Sequence, residues 1–307
     1  MLRLLLLVVG ILLLITQNFI QPFSANWQFI LFLAGVFFLG IPHGAADLLV
    51  AIQSAETGKK SFSKFKFFAT YLSRLIIFGL LLYFFPVFGV LLFLLFSAYH
   101  FGETDLHIFN TNSVTGKILV CSYGLVILSV ILLNNMEELQ LLIKSAGLNE
   151  KKYPLIDWSA ENHNLILSAS LLVFFVSIFL YFLKNKNSTE TSDRFLLQFA
   201  FLVFILFNMP LLLGFTFYFV IWHSVLSLQN IILYLQIGIK HSLTQIVKQI
   251  IFYSALAISG IIIIGGVGFM FISNQAIMIY VFLGLAVLTA PHMPVMHDMY
   301  NKMRGVK

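Results

Sequence analysis

The strongest constraint on this sequence is a succession of apolar runs, each about 20 residues long, with short polar connections between them. A helix of that length crosses the hydrocarbon core of a bilayer. We predict about ten such spans, and boundaries read from sequence carry an uncertainty of about two to four residues. The expected ranges are 2–20, 26–47, 66–85, 87–108, 115–133, 164–183, 194–209, 211–236, 247–272 and 276–298. The predicted fold is therefore an all-α, polytopic helical bundle that occupies residues 1–307 as one integral membrane domain.

The composition agrees with this fold, because 60% of the residues are hydrophobic and only 10% are charged, against about 25% charged in soluble proteins. The net charge of +6 does not indicate nucleic-acid binding, since the basic residues lie in short connections where they set helix orientation. With both termini in the cytoplasm, 14 of the 18 basic residues fall on the cytoplasmic side. The exceptions are Lys144, Lys151 and Lys152 in an outer connection, and Arg74 within the third span. We expect a multi-pass protein of the cytoplasmic membrane.

Several local signals refine this topology. The apolar run from Leu4 to Ile15 lacks a clear cleavage signature after it, so we interpret it as the first span rather than a signal peptide. Asn208 and Pro210 favour a turn between the seventh and eighth spans over one long kinked helix. Residues 137–148 predict a short interfacial helix on the outer side. The single cysteine, Cys121, excludes an intramolecular disulfide and a cysteine-based metal cluster.

The segment LGIPHGAADLL places His43 and Asp47 inside an otherwise apolar run. Ionisable side chains at membrane depth usually face the protein interior and mark a site. The two residues are four apart, which places them on one face of a helix. The carboxylate could then fix the tautomer of the imidazole, as the partners of metal-ligating histidines do. The alternative is a helix end at which both groups are solvated.

The chain contains eight histidines. His163 and His241 lie in connections, where a solvated role is expected. Four others fall on the second, fourth, eighth and tenth spans, which all run in the same direction, and they lie about 18–25 Å from the outer helix ends at roughly 1.5 Å per residue. These four candidate metal ligands are His43, His100, His223 and His292. A single cluster at one depth is therefore geometrically allowed.

A cluster of imidazoles suits Zn, Cu, Fe or Ni, and the residues alone do not select the metal. Nearby polar side chains are candidates for orienting these ligands: Asp47, Glu103 and Ser227. Asp105 and Asp298 are interpreted as solvated residues at helix ends. His107 and His297 remain as possible additional ligands.

Most of the 34 phenylalanines are expected to face lipid, but a minority adjoin the candidate ligands. Aromatic rings there would suit a long, flat, apolar substrate that is taken directly from the bilayer. The predicted tunnel residues are Phe96, Tyr99, Phe101, Phe219 and Trp222.

Four motifs, GIPHGAAD, YHFGETD, WHS and APHMPV, are spread over nearly the whole chain. Together they resemble the Brp/Blh family of β-carotene dioxygenases, integral membrane enzymes that cleave β-carotene at its central double bond into two molecules of retinal. The resemblance implies a catalytic domain with a histidine-bound Fe(II) centre, with β-carotene and O2 as substrates and membrane lipid as the surroundings. It identifies no protein partner.

One position departs from the family pattern. Members often have a second histidine four residues after the WH histidine, and Ser227 stands there in this chain. His292, His107 or His297 could complete the ligand set, or the metal could have three protein ligands. A non-catalytic carotenoid or retinal carrier, a haem protein and a di-iron desaturase are the other functions that we considered, and the desaturase is disfavoured because HxxxH and HxxHH boxes are absent from the sequence.

Overall fold

The computed structural model describes residues 1–145, 154–185, 189–238, 242–269 and 277–305. Within these ranges the regular structure is entirely helical. The helices are Leu2–Ile20 (α1), Ala25–Thr57 (α2), Lys64–Phe84 (α3), Pro86–Asp105 (α4), Val114–Leu133 (α5), Met136–Ser145 (α6), Pro154–Glu161 (α7), His163–Lys184 (α8), Thr189–Phe207 (α9), Leu211–Gln236 (α10), Leu243–Phe269 (α11) and Ile277–Gly305 (α12). The predicted all-α, multi-pass architecture is confirmed.

Nine helices of the described residues are long and apolar enough to cross a membrane, against the ten predicted. The predicted span 194–209 corresponds to α9, which is not among the nine. Its first turns carry the exposed charged residues Asp193 and Arg194, so its apolar part from Phe195 to Phe207 is shorter than the roughly 20 residues that a span requires. That part packs into the core of the bundle through Phe199 and Leu202.

The predicted boundaries can be compared with these helices. The turn between the seventh and eighth predicted spans is confirmed, because α9 ends at Phe207 and α10 begins at Leu211. The predicted second span ended at residue 47, whereas α2 continues to Thr57. The predicted interfacial segment forms a helix as far as Ser145, and its last residues, 146–148, lie outside the described ranges. Also outside them are His241, Lys151, Lys152, Lys186, Lys240 and Lys307.

Polar contacts bring the two ends of the chain to one face of the bundle. Arg3, at the start of α1, donates to the backbone oxygen of Asp105 at the end of α4. Near the end of α12, Lys302 donates to Ser54 in the last turns of α2, and Arg304 pairs with Glu103 of α4 at 3.2 Å. The first and last helical turns therefore lie on the same side, as expected for both termini inside. That this side is cytoplasmic stays a prediction.

The close pairing of α4 with α5 fixes the position of the fourth helix in the bundle. A Cβ atom added to Gly124 would lie 1.9 Å from the backbone oxygen of Ala98, and one added to Gly102 would lie 1.9 Å from the backbone oxygen of Val120. Small residues let two backbones approach in this way, which is a common mode of helix association in membranes. The absence of side chains at these two glycines is therefore what allows α4 and α5 to pack.

We predict that Gly124→Ala lowers the free energy of unfolding by about 1–3 kcal/mol, the usual cost of overpacking, because the new methyl group meets a backbone atom that cannot turn away. Thermal unfolding in detergent would measure this loss. Gly260→Ala in α11 is the matched control, since nothing lies within 4 Å of its added Cβ. Equal stability of the two variants would show that the α4–α5 contact is looser than described.

Candidate metal centre

Four helices each bring one histidine to the same place inside the bundle. His43 lies on α2, His100 on α4, His223 on α10 and His292 on α12, and their exposed fractions are only 5%, 2%, 1% and 3%. The ring centroid of His100 lies 4.8 Å from that of His223 and 5.1 Å from that of His292. The ring centroid of His43 lies 5.5 Å from that of His223 and 5.0 Å from that of His292. The four rings therefore form one buried group, which we call the histidine cluster.

The nitrogen atoms of the histidine cluster fit a metal ion in number and chemistry. Both ring nitrogens of His100, both of His223, and Nε2 of His292 are buried without a hydrogen-bond partner. An unpaired buried polar group costs about 1–3 kcal/mol, so these atoms favour a ligand. Imidazole nitrogens at roughly 2.1 Å from one ion place neighbouring ring centroids about 4.5–5.2 Å apart, close to the spacings found here.

The rings of the histidine cluster are close together, but they are not oriented around a common point. Among the described residues, no group of three or more His, Cys, Asp or Glu side chains is arranged to hold a metal ion. Neighbouring rings of the cluster are nearly perpendicular, with interplanar angles of 73° to 85°. The ring spacing suits one shared ion, whereas the ring nitrogens do not converge on one point, so coordination would require the imidazoles to turn.

The helices that carry the histidines are irregular beside them. A π-helical segment, Val36–Gly40, precedes His43, and a second, Thr216–His223, ends at His223. Two prolines, Pro291 and Pro294, flank His292 within α12. Single π-helical turns often occur at functional sites, and proline removes a hydrogen bond from the helix ladder. The backbone is thus locally distorted next to three of the four imidazoles.

Asp47 orients a different histidine from the one that its sequence position suggested. Its Oδ1 lies 2.7 Å from Nδ1 of His292, and its Oδ2 accepts a hydrogen bond of 3.0 Å from the hydroxyl of Tyr71 on α3. The helical register between His43 and Asp47 is interrupted at Ala46, where ψ is −6°. The carboxylate therefore faces α12, and Nδ1 of His43 lies 3.4 Å from the backbone oxygen of Leu39 instead.

Glu103 and His107, two of the other candidates, have partners outside the histidine cluster. Glu103 contacts Nδ1 of His297 at 2.8 Å and also pairs with Arg304, so these three form a separate group toward the end of α12. Nδ1 of His107 lies 2.8 Å from the backbone oxygen of Thr104. Ser227 is fully buried one turn beyond His223.

Two of the five predicted tunnel residues pack against the histidine cluster. The ring centroid of Phe101 is 4.7 Å from that of His223, and Phe219 stacks on the same imidazole at 6.2 Å. Phe96 is half exposed on the outside of the bundle. The ring centroid of Tyr99 lies 5.7 Å from that of His297, outside the histidine cluster. The indole nitrogen of Trp222 donates to Asp105 at 3.0 Å, so its polar edge points away from the cluster.

A buried carboxylate is the principal feature that sequence reasoning missed. Asp105 was interpreted as a solvated residue at a helix end, but its exposed fraction is 1%. It accepts hydrogen bonds from Tyr123, Tyr218 and Trp222. The motif YHFGETD contains it, but nothing in the sequence indicates those three partners. By contrast, the side chain of Asp298 is 55% exposed and pairs with Lys302, as expected near a helix end.

Comparison with known proteins identifies the family of this chain. The family model described as β-carotene 15,15'-dioxygenase matches residues 34–300, which include all four histidines of the cluster. A curated relative, the β-carotene 15,15'-dioxygenase of uncultured marine bacterium 66A03, is 28% identical over 269 residues, which cover 85% of this chain and 90% of the relative. No solved structure was found to match the chain. The chain belongs to the β-carotene 15,15'-dioxygenase family.

Proposed function

We propose that this membrane protein cleaves β-carotene at its central double bond with O2, at an Fe(II) centre held by His43, His100, His223 and His292. One carbon–carbon double bond is broken, two carbonyl groups form, and one O2 supplies both oxygen atoms to the two retinal molecules. The observation that supports this proposal best is the set of buried, unpartnered imidazole nitrogens within a chain of this family.

The donor set is compatible with iron, and the oxygen chemistry of the family favours Fe(II) over Zn(II), which has no redox chemistry. When bound, Fe(II) with open positions would supply the site for O2. The residues of this chain would hold the ion and keep water away, because Phe101 and Phe219 cover the imidazole of His223. Asp47 would fix the tautomer of His292 by accepting a hydrogen bond from its Nδ1–H, which leaves Nε2 free as a ligand.

A row of aromatic rings extends from the histidine cluster and supports an apolar substrate. Phe219 stacks on Phe215 at 5.3 Å, Phe215 contacts Phe282 at 4.9 Å, and Phe282 stacks on Phe32 at 5.1 Å. These rings belong to α10, α12 and α2, so the row leads from His223 along three of the helices that carry histidines. Flat apolar rings of this kind suit a polyene, and entry from lipid avoids hydration of the substrate.

We predict that single alanine substitutions of His43, His100, His223 and His292 each lower iron content and abolish cleavage, because each removes one nitrogen ligand. The measurements are iron per purified chain and retinal formation in a bacterial host that accumulates β-carotene. Wild-type cells should lose their orange colour. Membrane insertion should persist, since it depends on the apolar spans.

His163→Ala is the matched control for these variants, because Nδ1 of His163 lies 2.8 Å from the backbone oxygen of Ala160 at the start of α8, outside the cluster. Two or more cluster variants with full iron and full turnover would contradict the four-histidine centre. Orange cells with well-expressed wild-type protein would instead favour a carotenoid carrier.

We predict that Asp47→Asn weakens iron binding about 10- to 100-fold, the usual effect of removing a group that orients a ligating histidine. Tyr71→Phe should act in the same direction but less strongly, because it leaves the contact between Asp47 and His292 in place. Competition with a chelator would measure both affinities. Asp298→Asn serves as the control carboxylate, and an Asp47 variant with the affinity of that control would refute the role.

We predict that Phe219→Trp lowers turnover of β-carotene while iron content stays at the wild-type value, because the larger ring fills apolar space beside His223 without removing a nitrogen ligand. Phe179→Trp on α8 is the control, since that side chain is 63% exposed on the outside of the bundle. Iron content and retinal formation are measured on the same preparations. Unchanged turnover in Phe219→Trp would place the substrate elsewhere.

A further inference from the structure

The Asp105 carboxylate joins the two helices whose histidines stand closest together. It is the last residue of α4, five residues after His100. Its Oδ2 accepts hydrogen bonds from the hydroxyl of Tyr218 at 3.1 Å, and its Oδ1 accepts one from the indole of Trp222 at 3.0 Å. Both donors lie in the π-helical segment Thr216–His223. The carboxylate thus holds the segment that ends at His223.

The surroundings of this carboxylate leave it little freedom to move. Tyr123 on α5 adds a third hydrogen bond of 2.8 Å to Oδ2, and Arg3 lies 3.9 Å from Oδ1. Asp105, Tyr123, Tyr218 and Trp222 are each 1% exposed or less. A buried carboxylate with both oxygens occupied and a nearby cation is fixed in position, because any displacement leaves a charge or a donor unpaired.

We propose that Asp105 is a positioning residue for the metal centre: its carboxylate fixes the distance and rotation of the helix that carries His223 relative to the helix that carries His100. Two donors four residues apart, Tyr218 and Trp222, set the rotation of α10 about its axis, and His223 directly follows the second. The spacing of 4.8 Å between the rings of His100 and His223 is the shortest in the cluster. This inference rests on the proposed function, since it assigns Asp105 to the same centre.

Asp105→Leu tests the proposal, because leucine keeps the branched shape and removes both acceptor oxygens. The probe is Co(II), added to metal-free protein in detergent. We expect about tenfold weaker binding, the lower end of the range found when groups that orient ligands are removed, together with a changed visible spectrum of the bound Co(II). A change in this spectrum reports the arrangement of the ligands around the bound ion.

Ser177→Ala is the matched structural control. It removes another buried interhelical hydrogen bond, the one of 2.6 Å between Ser122 on α5 and Ser177 on α8, which does not involve the histidine helices α2, α4, α10 or α12. This variant should lose stability but keep the Co(II) affinity and spectrum of the wild type. If it changes both as much as Asp105→Leu does, the effect is general loosening of the bundle and the proposal is wrong.

The double variant Tyr218→Phe/Trp222→Phe decides the matter if Asp105→Leu fails to accumulate in the membrane. It removes the same two hydrogen bonds from the opposite side and should reproduce the weaker affinity and the changed spectrum. Wild-type affinity and spectrum in this variant, or in Asp105→Leu, would overturn the proposal while the metal centre itself stands. If the wild type binds neither iron nor Co(II), the proposed function fails and this inference fails with it.

Discussion

The structure depends on the cost of burying polar groups where water is absent, because an unpaired donor or acceptor in such surroundings costs about 1–3 kcal/mol or more. Two groups on α4 meet this constraint in opposite ways. Asp105 receives hydrogen bonds from Tyr123, Tyr218 and Trp222, so the protein itself satisfies its carboxylate. His100, five residues earlier, has two buried ring nitrogens without a partner. The first group therefore stabilises the helices, whereas the second favours a ligand from outside the chain.

Irregular helices connect this constraint to the arrangement of the histidines. The hydrogen bonds of a π-helical segment span one more residue than those of an α-helix, i to i+5 instead of i to i+4, so the side chains after it point in a direction that regular periodicity does not predict. Such segments precede His43 and end at His223. In α10 the π-helical segment Thr216–His223 turns Tyr218 and Trp222 toward Asp105. It also brings the ring centroid of His223 to 4.8 Å from that of His100. One local distortion thus serves both the structural group and the proposed metal centre.

The properties that could be predicted from sequence are those that depend on nearby residues. The observed helices Leu2–Ile20 and Val114–Leu133 follow the predicted spans closely, because length and apolarity are local. The regular rise of a helix also allowed four histidines to be compared in depth. The partners of Asp47 and Asp105 were not predicted, since His292 and Tyr218 lie 245 and 113 residues away in sequence. Which face of an apolar helix is buried also depends on distant residues. The exposed position of Phe96 could therefore not be predicted from the sequence.

The contact between Asp47 and His292 links the packing of the bundle to the proposed metal centre. The imidazole of His292 reaches the cluster from α12, with its ring centroid 5.1 Å from that of His100 and 5.0 Å from that of His43. In the proposed centre, an imidazole from this separate helix would need its own means of orientation, and Oδ1 of Asp47 on α2 lies 2.7 Å from its Nδ1. The contact that would orient this ligand is therefore also a contact that joins α2 to α12.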